Sequence, residues 1–261
     1  MHLPQARPHL APGLRVVSRG LNHLQIGLYD GCRVLLPRTA SVHRALALLL
    51  ERGPTDEDPA VMEVLGHLER HGCLAWDPRA HGARAAVAVL GGFEVPGLPD
   101  ARELLWAAGL SLTASICDAE AVIVLSAGEL DRRRLDPLIR NRTCHVVTRL
   151  VDGGAVLGPF VVPGATACLR CIDAQQSAHD PDHVAVTARY ARATERPRPD
   201  GIPDLDPALA AVALAWAVRD VVAHVDGRQP STWSRTLVLA ANPADRTEHE
   251  WLRHPECGCY W

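Results

Sequence analysis

The 261-residue sequence has no run of the roughly 20 uninterrupted apolar residues that a membrane span requires. Its opening stretch, MHLPQARPHLAPG, likewise lacks an apolar segment of signal-peptide length. A cytoplasmic chain without a membrane partner is therefore expected. There is no excess of positive charge either: 27 basic residues stand against 30 acidic ones, for a formal net charge of -3, which argues against nucleic acid as a partner. A glycine-rich phosphate loop is also missing. The strand-like AAVAVLGG is followed by FEVPGLPDARELL, where Pro96 and Pro99 stand at positions that a phosphate cradle would fill with backbone N–H groups. No G-K-[ST] sequence occurs, so no nucleotide is expected, and the Gly91–Gly92 pair reads as a turn into a helix.

Cysteine is well represented, with eight residues. Cys32, Cys73, Cys117 and Cys144 are single and lie in apolar surroundings, so they read as buried free thiols of a reducing compartment. The other four form two pairs, Cys168-x-x-Cys171 and Cys257-x-Cys259, with 85 residues between them. Each short pair spans one edge of a tetrahedron, and two pairs complete four-thiolate coordination of a zinc ion, which has no geometric demand of its own. Closed coordination leaves no position for water or substrate, so the expected role is structural. The alternatives are a redox dithiol or a pair of disulfides. The Pro163-Gly164 turn before Cys168 favours a zinc knuckle over a thioredoxin-type helix start. His179 and His183 are four apart, but Asp180-Pro181 between them breaks any continuous helix, and they read as surface histidines.

Along the chain, residues 1–13 are rich in proline and read as frayed. LRVVS, LNHLQIGLY and CRVLL then read as three short strands of an antiparallel sheet, with turns at Arg19-Gly20 and Asp30-Gly31. TASVHRALALLLERG has apolar residues at helical spacing up to Gly53-Pro54, and a second helix opens on Asp58 and Pro59 and ends at Gly72. CLAWD returns as an edge strand. Three strands, two helices and a returning strand make a winged-helix-like module. Its second helix carries one Arg against two Glu, a poor match to DNA phosphates, although a winged-helix DNA-binding regulator is one alternative for the chain. A short open sheet can instead accept an extended peptide on its edge.

The arginine-, glycine- and proline-bearing DPRAHGAR reads as a linker, giving domains at 1–80 and 81–261. Beyond it strands and helices alternate as in a doubly wound α/β sheet, whose last parallel strand, CHVVTRL, turns at Asp152-Gly153-Gly154 into a hairpin. Residues 173–205 are polar and read as a long crossing loop with a partial helix. Asp206 and Pro207 open a long helix that is apolar nearly all round, and a subunit interface is one way to cover it.

The pattern GP-x-VVPG-x-x-x-CLRC with a closing HP-x-CGC, set behind a winged-helix-like module, resembles the E1-like (ThiF-related) partner proteins of thiazole/oxazole-modified microcin and thiopeptide biosynthesis. The resemblance covers residues 14–261 and is most specific at Gly158 to Asp173. It implies an α/β chain: an N-terminal RiPP recognition element followed by a degenerate, Rossmann-like E1 domain with a structural zinc at Cys168, Cys171, Cys257 and Cys259. It also implies that the front module captures the leader region of a precursor peptide as an added strand, in a groove formed by Arg33, Val34, Leu35 and Leu36 with Val61, Leu65 and Leu68. The body then presents the precursor to a YcaO-type cyclodehydratase, which uses ATP to form azoline rings. A homodimer is the expected assembly. Because the glycine loop and an acidic ribose ligand are missing, the expectation is a non-catalytic accessory subunit; an active ThiF-like adenylyltransferase is the alternative.

Overall fold

A computed structural model describes residues 8–51, 58–76, 85–93, 100–195, 206–240, 242, 245–255 and 257–259. The chain divides into two compact units, residues 1–82 and 83–261. The expected linker, DPRAHGAR, lies outside the described residues.

In the first unit, β2 (Val16–Arg19), β3 (His23–Ile26) and β4 (Val34–Pro37) form an antiparallel sheet in that order. The alternation of the sequence sets its faces. Ile26 pairs with Val16 and Val34, while Leu24 pairs with Ser18 and Leu36; Leu24, Ile26, Val34 and Leu36 are all buried. The intervening Val17–Gln25–Leu35 row points to the other face, where Val17 and Leu35 are exposed. Two helices supply the rest of this core: α1 (Ala40–Glu51) through Val42, Leu46 and Leu49, and α2 (Pro59–Arg70) through Val61 and Leu68. α2 starts as the sequence predicts, because the Asp58 side chain accepts the Ala60 N–H at 2.8 Å and Pro59 occupies the first turn. Two details differ from expectation. Pro8–Leu10 is not frayed but forms β1, and β5 (Leu74–Trp76) pairs with it, so the returning strand joins a separate two-stranded ladder.

The second unit is built on a seven-stranded mixed sheet. In chain order its elements are β6 (Ala86–Gly91), α3 (Ala101–Ala107), β7 (Ser111–Leu112), β8 (Ala121–Ser126), α4 (Asp136–Arg140), β9 (Cys144–Val151), β10 (Gly154–Val161), α5 (Leu169–Ser177), α6 (His183–Thr194), α7 (Pro207–Val225), β11 (Arg235–Leu239) and β12 (Arg246–Glu250). The spatial order is β12-β11-β10-β9-β8-β6-β7. β7, β6, β8 and β9 run parallel, and β9 turns at the expected hairpin into the antiparallel β10, β11 and β12.

β8 and β9 are buried on both faces; β8 is a nearly continuous apolar run, whereas β9 also buries His145, Thr148 and Arg149. Ala121, Ile123, Leu125 and Val146 face α3 and α7, whereas Val122, Val124 and Val147 face Leu138 of α4 and Leu169 and Ile172 of α5. α7 is long and apolar enough to cross a bilayer by length and composition, but its Leu209, Ala213, Leu214, Val218 and Val221 pack into the core of its own sheet. Its apolar face is thus covered only in part within the chain. Asp206 caps it by accepting N–H groups from Ala208 and Leu209 at 2.7 and 3.0 Å. The described part of 173–205 is helical, which corrects the crossing-loop reading: α5 and α6 are separated at Asp180-Pro181 because proline cannot continue the first helix.

Candidate functional site

The stretch that follows β10 brings the first cysteine pair into place. Thr166 Oγ1 donates to the Phe160 carbonyl at 3.1 Å and accepts the Val162 N–H at 2.7 Å, closing the Pro163-Gly164 turn. Ala167 N–H then donates to Ser234 Oγ at 2.9 Å. Cys168 is the N-cap of α5 and Cys171 lies in its first turn. The pair therefore opens a helix, contrary to the expectation from the Pro-Gly turn, and only the second pair distinguishes it from a redox dithiol.

That second pair is present. The four sulfurs of Cys168, Cys171, Cys257 and Cys259 all lie within 4.8 Å of one another. Cys168 is 3.8 Å from Cys171 and 3.9 Å from Cys257, and Cys171 is 3.5 Å from Cys259. A tetrahedron of thiolates about 2.3 Å from a zinc ion has edges of about 3.8 Å. Cys171–Cys257 and Cys257–Cys259, at 3.0 and 2.8 Å, are more compact, and no disulfide joins any of the four. Cys168, Cys171 and Cys259 are buried, and Val161, Ala167, Ile139 and Trp251 pack around them. The donor set, spacing and burial fit a metal ion.

The thiols are electrically coupled. The Cys168 thiol donates to Cys171 and holds the Cys171 pKa down at about 4, with the backbone N–H of His254 contributing in the same direction. The same hydrogen bond raises Cys168, while Cys259 is pushed up to about 12, mainly by burial. Cys171 is thus favoured as the charged sulfur and Cys168 and Cys259 as protonated ones, and a divalent cation would replace those protons. Four thiolates around a divalent ion carry a net charge of about −2. A cavity of about 230 Å³ beside the cluster is lined by Arg132, Arg140 and Arg170 together with Asp136, but Arg170 is paired with Asp136 and Arg132 with Asp173.

In the first unit, β4 pairs with β3 on one side and ends the sheet on the other. Of the seven residues expected in a peptide groove, Val34, Leu36, Val61 and Leu68 lie in the core, at 4% exposure or less. Leu65 is partly buried on α2, and Leu35 is 46% exposed. Arg33 is exposed and pairs with Asp30 at 2.6 Å. The residues with accessible side chains are thus Arg33, Leu35 and Leu65. The single cysteines also differ from expectation, since Cys73 is buried but Cys117 is exposed and Cys32 and Cys144 are half-buried.

No protein-family model matches the chain, and no curated protein matches it in sequence. Solved structures do match. The heterocyclase TruD is similar over 97% of this chain at a TM-score of 0.61 and 16% identity, and a heterocyclase in complex with substrate and cofactor over 98% at 0.64 and 15%. MccB of E. coli is similar over 97% of this chain and 96% of its own length, at 0.53 and 13% identity. These likenesses establish the fold. The chain spans only 42% and 39% of the two heterocyclase chains, but nearly the whole of MccB. MccB has been crystallised with ATP and with MccA.

Doubly wound sheets bind ligands where successive connections leave a strand in opposite directions. Here that strand is β6, with β7 on one side and β8 on the other. A cavity of about 400 Å³ opens at its carboxyl end, lined by Gly91, Gly92, Phe93, Asp100, Arg102 and Leu125, among others. Gly91 closes β6 at φ +77°, and a Cβ there would come within 2.1 Å of the Leu125 carbonyl oxygen. Close approach of β6 to β8 accounts for this glycine without any phosphate. The chain contains no lysine, so a P-loop-type lysine is absent as well.

Arginines near the ends of β8 and β9 are already paired. Arg132 grips Asp173 through two bonds of 2.8 Å and also donates to Glu129, and Arg149 donates to both Glu129 oxygens at 2.7 and 2.6 Å. Burial by itself would raise the Glu129 pKa, but the charges of Arg149 and Arg132 outweigh it and hold the carboxyl at about 2. Sequence reading missed this network because its bonded partners are up to 41 residues apart and none belongs to a motif.

Proposed function

We propose that this chain is a peptide-binding scaffold in the biosynthesis of azole-containing ribosomal peptides. Its front unit binds the leader segment of a precursor peptide, and its body presents the precursor to a separate YcaO-type, ATP-dependent cyclodehydratase. The observation that carries the reading is a fold shared with heterocyclases and MccB across both units. The outer side of β4 supports it. An extended peptide laid along this edge would bond to its main chain, with Leu35 and Arg33 on the solvent-facing side. As a RiPP recognition element of winged-helix type, the front unit needs no chemistry of its own. Zinc at Cys168, Cys171, Cys257 and Cys259 is structural, because four thiolates leave no open coordination position.

The test uses the full chain and a fluorescently labelled leader segment from a precursor encoded beside a YcaO-type gene. Saturable binding that persists at moderate salt is expected, because apolar contacts and main-chain bonds are little screened. No binding of any such leader would refute the reading.

The cavity at the end of β6 favours one second reading, a minimal adenylyltransferase. ATP–pyrophosphate exchange by the isolated protein in the presence of the peptide would establish it. Arg102 is the arginine that lines this cavity, whereas Arg132 and Arg149 are held by Asp173 and Glu129.

A further inference from the structure

The two cysteine pairs sit on segments that have little in common. Cys168 and Cys171 begin α5, which is packed beneath the sheet. Cys257 and Cys259 follow β12, a strand exposed at all five positions. Burial alone does not fix where such a strand ends. Three consecutive residues after it are nonetheless held, each by a different part of the unit. Trp251 N–H donates to the Ser234 carbonyl at 2.8 Å, and its indole Nε1–H donates to Thr236 Oγ1 at 2.9 Å. Arg253 donates to the carbonyl of Gly164, in the turn before the first pair. Between them, Leu252 meets Gln175.

Gln175 treats Leu252 as a strand neighbour would. Its Nε2 donates to the Leu252 carbonyl at 2.6 Å, and its Oε1 accepts the Leu252 N–H at 3.4 Å. The same Nε2 donates to the carbonyl of Cys171 at 3.1 Å, one helical turn earlier. A single side-chain amide therefore joins the backbone of one sulfur donor to the segment that delivers the other two. Leu252 itself is 78% exposed, so apolar packing contributes little to holding it.

We infer that Gln175 is a positioning residue for the four-cysteine centre, setting the approach of Cys257 and Cys259 to Cys168 and Cys171. This inference rests on the reading of the cluster as a metal site. Supporting hydrogen bonds of this kind typically change metal affinity by 10- to 100-fold. Because these bonds are partly solvated, the lower end applies.

The test measures transfer of zinc from the loaded full-length protein to a colorimetric chelator, and the half-saturation and visible spectrum of cobalt(II) binding. Gln175→Met removes both polar atoms at similar length; Gln175→Glu keeps an acceptor but turns a carboxylate toward two carbonyls. Each should release zinc about tenfold faster and raise the cobalt half-saturation, while the saturated thiolate–cobalt spectrum keeps its wild-type shape. Should one variant fail to fold, the other decides. Asp220→Asn is the control, because Asp220 accepts four bonds from Ser231 and Thr232 and secures α7 away from the cysteines. It should lower thermal stability and leave zinc release unchanged. Release within twofold of wild type in the Gln175 variants, or equal acceleration in Asp220→Asn, would overturn the inference while leaving the metal site intact. A wild-type chain that holds no stoichiometric zinc would instead overturn the metal reading itself, and the inference with it.

Discussion

The two sheets of this protein solve the same problem differently. In the front unit, β2, β3 and β4 bury one face only, and alternate side chains such as Val17 and Leu35 face outward. In the body, β8 and β9 are covered by helices on both faces, and β12, at one edge, presents the polar series Arg246 to Glu250. Charged edges resist pairing with another chain, whereas β4 (Val34–Pro37) has no charged residue within it. The difference bears on the proposed peptide site: β4 offers an edge without charge, whereas β12 closes its side of the large sheet with charged residues and leaves the short, uncharged β7 as the other edge.

The largest effect expected is on the body. Cys257→Ser leaves three thiolates, and metal content should fall from about one ion per chain to below about a tenth after dialysis against a chelator, with soluble yield falling too, because metal binding supplies folding energy. Elemental analysis and circular dichroism check this. If Cys257→Ser keeps a full ion and folds normally, the four-ligand assignment fails. Next comes Leu68→Ala. Leu68 is fully buried in the front unit, and its truncation should cost about 3 kcal/mol. Denaturant unfolding should then show loss of the front unit first, with zinc content unchanged; a single transition at a lower midpoint would show that the two units do not melt separately.

Acid provides a third probe, aimed at the body. Glu129 has its pKa lowered to about 2 from 4.5, so its contribution to stability is complete above about pH 4.5 and is lost as the pH falls toward 2. The loss should be on the order of 3 kcal/mol and should be flattened in Glu129→Gln. His145 acts in the same direction at higher pH. It is fully buried, its Nδ1–H donates to the Thr143 carbonyl at 2.9 Å, and burial lowers its pKa to about 4. Stability should therefore begin to fall below about pH 6.5, where the unfolded chain takes up the proton that the folded chain refuses. Equilibrium unfolding between pH 7 and 3 tests both. The smallest effect on stability is expected from Leu35→Glu. Leu35 is 46% exposed, so folding should change by less than about 0.5 kcal/mol, while binding of a leader peptide weakens. Leu36, at 4% exposure, is unsuitable for this purpose because a charge there would enter the core.

Much of this was legible in the sequence because it was local. Asp58-Pro59 and Asp206-Pro207 mark helix starts that the structure bears out, and the apolar run of β8 marks a buried parallel strand. The cysteine spacing identified the four sulfurs that come together. What could not be read depends on partners distant along the chain. Pro8–Leu10 is ordered by pairing with Leu74–Trp76 and by Leu10 packing against the front core, and nothing in PHL announces a strand. α6 has a single buried side chain, Ala191, so the segment's polarity concealed a helix. The pattern of β4 told which residues alternate, but not that Val34 and Leu36 face inward; that is set by their pairing with the buried Ile26 and Leu24.

Cys168 and Cys257 are 89 positions apart, and α5, α6, α7, β11 and β12 all lie between them. Bringing their sulfurs together before those elements form would mean closing that loop in a flexible chain, at an entropic cost on the order of a few kcal/mol, so the centre is expected to assemble late. Metal uptake during refolding should thus be among the last events, slower than the return of helical signal. A zinc-responsive dye added to refolding protein would act as a clock for completion of the whole body.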